Sequence, residues 1–215
     1  MSVSGSYFAT EKQNARETDP ANTLNTLLVG TQRVRGAQAA IIGHLPEHFD
    51  IVVGYAYLNG RVESSILNAS PFASQYIKSD PIYGQFPYFF SPKGFPFANV
   101  PKNSGNVWVT HDLLWHFVGG VGGNYVSARR SSSTAIAAVY NSVTPVPVTS
   151  VPMAFKATPG YWVFNAMVRR PVSDHVDFQA NVMNLANKFY IDQPHPNHLI
   201  PGEGLNAQIG FNFKF

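Results

Sequence analysis

Residues 205–215 read LNAQIGFNFKF. Leu205, Ala207, Ile209, Phe211, Phe213 and Phe215 are apolar, and Asn206, Gln208, Gly210, Asn212 and Lys214 stand between them. Successive side chains of a strand point to opposite faces, so this pattern is a strand with one dry face and one wet face. Chain ends ordinarily fray unless something ties them down. So regular an end implies a sheet that uses both faces.

The same alternation extends upstream. VDFQANVMNL (176–185) places Val176, Phe178, Ala180 and Val182 opposite Asp177, Gln179 and Asn181. GYWVFNAMVRR (160–170) offers Trp162, Phe164, Ala166 and Val168, with PVSDH as the turn between the two. Further strands are predicted at 117–127 (FVGGVGGNYVS), 106–115, 49–64, 31–44 and 3–10, eight in all. The turns at 44–48, 113–116 and 171–175 are short. The connections at about 11–29, 65–104, 128–159 and 187–204 are long. Such strict alternation, in an antiparallel meander, collects every short turn at one end and every long loop at the other. Outer-membrane barrels have that form, with short periplasmic turns and long extracellular loops. A soluble β-sandwich also alternates, but it places turn signals every 8 to 12 residues without this asymmetry.

Composition points the same way. Charged residues are 13% of the 215, about half the usual share. No apolar run approaches the roughly 18 residues that a membrane helix needs. Cysteine is absent, which excludes disulfides and thiolate metal sites. The net charge is +3, with the basic residues scattered singly apart from Arg129-Arg130 and Arg169-Arg170, so nucleic-acid binding is not expected. MSVSGSYFATEK lacks the basic and apolar regions of a signal peptide. The expectation is therefore either a cytosolic protein or a piece of a longer one.

Several motifs resemble one family. GTQRVRGAQAAIIGHLPEHFDIVVGYAYLNGRVESS is similar to a stretch in which a Gly-x-x-Arg-x-x-Gly-x-Glu strand turns into a Gly-Tyr-x-Tyr strand, with Gln38 in place of the usual Glu. VPKNSGNVWVTHDL, GGVGGNYVSAR and FQANVMNLANKFY resemble the strands that follow, the last matching an Asn-x-x-Asn-Leu-x-x-Lys-x-Tyr segment. The chain thus resembles the C-terminal barrel portion of TonB-dependent outer-membrane receptors, closest to catecholate siderophore receptors. That resemblance implies eight strands of a barrel of about 22, and residues 1–215 as one barrel portion without plug domain or signal peptide. It also implies ferric siderophore as ligand, the TonB system as partner through a plug, outer-membrane lipid as surroundings, and Phe215 as the terminal aromatic read by the barrel assembly machinery.

Candidate ligand contacts lie in the longest loop and beside it. SQYIKSDPIYGQFPYFFSPKGFPF (74–97) carries Tyr83 and Tyr88 among six aromatics from Tyr76 to Phe90. Rings can stack on catechols, while Lys78, Arg129 or Arg130 could attract an anionic ferric complex. The other reading packs these rings within the loop or in an interfacial girdle. His44 with His48, His111 with His116, and HPNH (195–198) lack the further ligands and second shell of a metal site. The GGVGGN run has no helix after it, so it reads as close packing within a strand. No catalytic spacing and no cofactor motif stands out. Two functions follow: a siderophore uptake receptor, or a small eight-stranded outer-membrane barrel with a structural or adhesive role.

Overall fold

The structure, a computed structural model, describes residues 1–18, 24–66, 92–133, 155–195 and 198–214, with the backbone alone of short strands at 76–77, 79–80, 84–85, 136–137, 146–147 and 153–154. Eight strands form one sheet: β1 Ser2–Thr18, β2 Thr26–Leu45, β3 Phe49–Ser64, β4 Asn103–Asp112, β5 Val118–Val126, β6 Tyr161–Ser173, β7 Val176–Met183 and β8 Asn206–Phe213. Each pairs antiparallel with its sequence neighbour, and the order across the sheet is the order along the chain. β1 and β8 are its two edges, so the sheet is open rather than closed on itself. Among the described residues there is no α-helix; Leu114–His116 is a tight turn with left-handed φ at Trp115 and His116.

Register sorts the side chains into dry and wet rows. Ile51, Val109, Val121, Ala166, Val182 and Ala207 are successive cross-strand partners, running over six strands without a polar member. One residue over, Asp50, Thr110, Gly120, Met167, Asn181 and Gln208 form the neighbouring row on the opposite face. A slip of one residue would exchange the two faces entirely.

The dry face is uncovered. Val3, Tyr7, Tyr55, Val121, Trp162, Ile209 and Phe211 are all exposed, and among the described residues only Ala15, Val62 and Val163 form a buried hydrophobic set. A soluble sandwich would lay a second sheet across such a face. Here the apolar surface points outward, as it does where hydrocarbon is the solvent.

The short turns sit as expected, at Pro46 to His48, 113–117, and Asp174 with His175. Several boundaries differ from the expectation, β4 among them, which runs 103–112 rather than 106–115. β6 continues through Ser173, and β1 and β2 extend to Thr18 and from Thr26, so the first long connection shrinks to 19–25. Residues 11–18, EKQNARET, are polar at every position but Ala15 and therefore show no period of two. Main-chain pairing with β2 holds them instead, interrupted by a register shift between Lys12 and Ala15 where Asn14 has φ 55°. At 17 residues β1 exceeds the roughly 9–11 that a strand needs to cross a bilayer.

The glycine run belongs to β5. On the wet face, a Cβ at Gly120 would meet Trp108 Cζ2 at 2.9 Å. On the dry face, one at Gly119 would come within 2.8 Å of Leu113 Cδ1, and one at Gly123 within 2.8 Å of Phe164 Cδ1. The glycines thus make room for larger neighbours on both sides of one strand.

Candidate functional site

The wet face curves into an open concavity of about 610 Å³, lined by Ser4, Ser6, Gln38, Gly54, Ser104, Asn106 and Asn124 among others. The lining is uncharged and mixes hydroxyl and amide groups with alanines and the Tyr55 and Tyr125 side chains. Such a wall offers hydrogen bonds without trapping a charged solute.

At the long-connection end, three connections meet on one guanidinium. Arg129, only 8% exposed, donates from Nη1 to Asn99 Oδ1 at 3.1 Å and to the carbonyl of Asp192 at 2.7 Å, and from Nη2 to the carbonyl of Ile191 at 2.7 Å. It also lies 5.8 Å from the Tyr161 ring centre. Asn99 N–H in turn donates to the Arg130 carbonyl at 2.7 Å. Connections 65–102, 127–160 and 184–205 are therefore tied together at a single buried cation. Arg130 lies against a pair of rings that meet edge to face, 3.7 Å from the centre of Phe155 and 5.8 Å from that of Phe95. Of the sequence-predicted site residues, these two arginines are brought together beside each other, while Tyr83, Tyr88 and Phe215 lie outside the described residues.

A second knot centres on Asn184, which is 1% exposed with φ 52°. Its Nδ2 donates to the carbonyls of Lys188 and Glu203, both at 2.9 Å, and its Oδ1 accepts from Lys188 N–H at 2.8 Å. Its own N–H donates to Asn165 Oδ1 at 2.9 Å. The Asn184 side chain thus joins both ends of the β7–β8 connection, and its backbone N–H anchors the connection to β6. Sequence reasoning quoted the motif around Asn184 without finding this role, although an Asn just past the last alternating residue is a signal for a left-handed turn.

Below this knot a cavity of about 250 Å³ is lined by residues including Asn124, Asn165, Tyr161, Tyr190, Asp192 and Glu203. The Tyr161 and Tyr190 rings lie 4.4 Å apart. Burial, followed by the negative charge of Asp192, pushes the Tyr190 hydroxyl above its usual pKa of 10.0. It stays a neutral donor and acceptor at ordinary pH.

The histidines separate by end. His44 pairs with Asp50, His48 lies 3.6 Å from Asp112, and His111 stacks on Phe49 at 4.1 Å, all near the short turns. His195 and His198 stack at 4.3 Å at the other end. Among the described residues, no three His, Asp or Glu side chains converge as a metal site would require.

The sequence profile of the family described as "TonB dependent receptor-like, beta-barrel" matches residues 1–185. The chain belongs to that family. Among TonB-dependent receptors it is 28% identical to the "Probable TonB-dependent siderophore receptor PiuA" of Acinetobacter baumannii, over 100% of this chain and 25% of that protein. It is 26% identical to the "Probable TonB-dependent receptor BfrD" of Bordetella pertussis, over 86% of this chain and 21% of that one. The crystal structure of PiuA superposes with a TM-score of 0.70 at 25% identity, covering 99% of this chain and 26% of PiuA. BauA, the ferric preacinetobactin receptor of the same species, superposes at 0.67 with 21% identity, covering 99% and 27%, a likeness of fold. The chain spans about a quarter of the length of the curated relatives it matches. In outer-membrane barrels a sheet of this kind turns its apolar face to lipid and its polar face to the barrel interior.

Proposed function

We propose that this chain is a C-terminal sector of an outer-membrane TonB-dependent receptor that takes up ferric siderophores. The observation that carries the reading is the open two-faced sheet, whose counterpart in PiuA is a quarter of a siderophore receptor. Unpaired N–H and C=O groups on β1 and β8 would each cost several kcal/mol in hydrocarbon. Further strands must satisfy those edges, and a barrel of about 22 supplies them. A closed barrel of these eight strands would need β1 to pair with β8, which it does not.

In this reading the function is binding and gated passage, with no chemistry on the ligand. Energy enters from the TonB system through a plug domain, and Phe215 serves the barrel assembly machinery. The aromatic loop and the arginines suit an anionic ferric catecholate: Tyr83 and Tyr88 supply rings, Arg130 a cation, and Arg129 the bracing that holds the surrounding connections.

The test is uptake of labelled ferric catecholate and ferric hydroxamate by iron-starved cells whose only receptor is the full-length protein. Catecholate uptake that requires TonB is the expected result. Hydroxamate uptake alone would overturn the ligand class, and uptake of neither, with the receptor folded in the membrane, would overturn the siderophore reading.

A further inference from the structure

The three short turns differ in chemistry. One presents Pro46, Glu47 and His48, and another Asp174 and His175, as water-facing turns commonly do. The turn at 113–117 reads Leu-Leu-Trp-His-Phe. Leu114 and Trp115 are 78% and 76% exposed, more open than nearly every other large apolar side chain described. Leu113 N–H donates to the Phe117 carbonyl at 2.7 Å, and Phe117 N–H to the Leu114 carbonyl at 3.3 Å. This closure holds Trp115 and His116 at φ 58° and 61°, the same left-handed pair that Glu47 and His48 form at 63° and 61° in the polar turn, so the two tips differ in side chains and not in backbone. What sets this tip apart is that Leu114 and Trp115 stand exposed together, apolar surface that is costly in water unless something apolar receives it.

The apolar surface is continuous with the lipid face. Leu113 lies over Gly119, directly beneath the pair Val109 and Val121 on the dry side of the sheet. Beside it Arg170 places its guanidinium 5.0 Å from the centre of the Phe117 ring. Aromatic rings flanked by a cation match the boundary between acyl chains and phosphate, where amphipathic rings concentrate and basic heads reach outward.

We propose that the 113–117 turn is a lipid anchor, inserted at the headgroup boundary of the leaflet on the short-turn side, with Arg170 at the level of the phosphates. The other two turns remain in water. The anchor fixes how deep β4 and β5 sit. It rests on the chain lying in a membrane as a barrel sector, and the experiment below separates the two.

The full-length receptor, with any cysteine outside this cysteine-free sector replaced, is reconstituted in vesicles of phosphatidylethanolamine and phosphatidylglycerol. Spin labels on Glu47→Cys, Trp115→Cys, Asp174→Cys and Ile209→Cys are read for access to oxygen and to a water-soluble nickel chelate. Labels at 209 and 115 should favour oxygen several-fold, and those at 47 and 174 the chelate. A label at 115 as wet as that at 47, with 209 dry, overturns the anchor alone; a wet 209 overturns the membrane register beneath it. Keeping the ring in place, lipids brominated near the headgroup should quench a share of the native tryptophan emission that Trp115→Phe removes. No difference between the two overturns the anchor. Protection of position 115 in native outer-membrane vesicles but not in pure lipid would instead assign the turn to a protein partner and overturn the lipid reading.

Discussion

Ile209 and Gln208 are adjacent on β8 and belong to different solvents. Ile209, 71% exposed, continues the dry row through Ala180 and Val168, whereas Gln208 continues the wet row through Asn181 and Met167. By the rules of a soluble protein, Ile209 is a defect and the fold has almost no core. In the proposed barrel, with lipid on one side, the same residue is buried and the exposed face does the work of the missing interior. Exposure thus reports folding state only once the solvent on each face is known.

The sharpest way to break this comparison is Ile209→Arg, expected to cost about 2–4 kcal/mol if it lies near mid-membrane. Its partner, Gln208→Arg, should stay within about 0.5 kcal/mol, as surface changes usually do. Urea unfolding of the full-length receptor in vesicles measures both. Equal losses would mean that the register, and with it the assignment of faces, is wrong.

A second contrast sets the sheet against the connections it carries. Asn184→Ala leaves the Lys188 N–H and the carbonyls of Lys188 and Glu203 without partners, at about 1–3 kcal/mol. Hydrogen exchange should rise across 187–205 and remain slow in β6 and β7. Uniform acceleration would show that the knot supports the barrel itself.

Gly120→Ala probes packing on the wet face. Its new Cβ would press on Trp108, Met167 and Thr110 side chains, a loss of about 1 kcal/mol at the low end of overpacking. Trp108→Ala in the same chain should return part of it. No recovery would move the strain to the backbone.

The smallest expected effect is on pH. Because the Tyr190 hydroxyl is raised above 10.0 in the fold, the folded state holds this proton more tightly than the unfolded chain. Its contribution is complete below the unfolded value and is lost as pH rises through the raised one. Exchange in the 184–205 connection should therefore accelerate above about pH 10, and Tyr190→Phe should remove that component. An unchanged profile in the variant would exclude Tyr190 as its source.

Much of the scaffold was readable in advance because its physics is local. Alternation marked all eight strands, and the lengths between them separated the short-turn end from the long-connection end. Where both faces of a strand are wet the signal vanishes, which is why 11–18 read as a loop while the ladder with β2 runs through them. The glycines of β5 were legible as close packing, but not which neighbours needed the room.

The candidate site was far less readable. Arg129 and Arg130 stood out in the sequence as cations, yet Arg129 reaches Asn99 across 30 residues and the carbonyls of Ile191 and Asp192 across 62 and 63. Nothing in a local window reveals that a charge is already spent on backbone oxygens. The sequence by itself determined the strands, their two faces and the ends at which turns and loops collect, because side-chain alternation is dictated residue by residue along an extended backbone. Only the tertiary structure decided that Asn184 and Arg129 tie the connections together, since hydrogen bonds depend on where distant segments arrive.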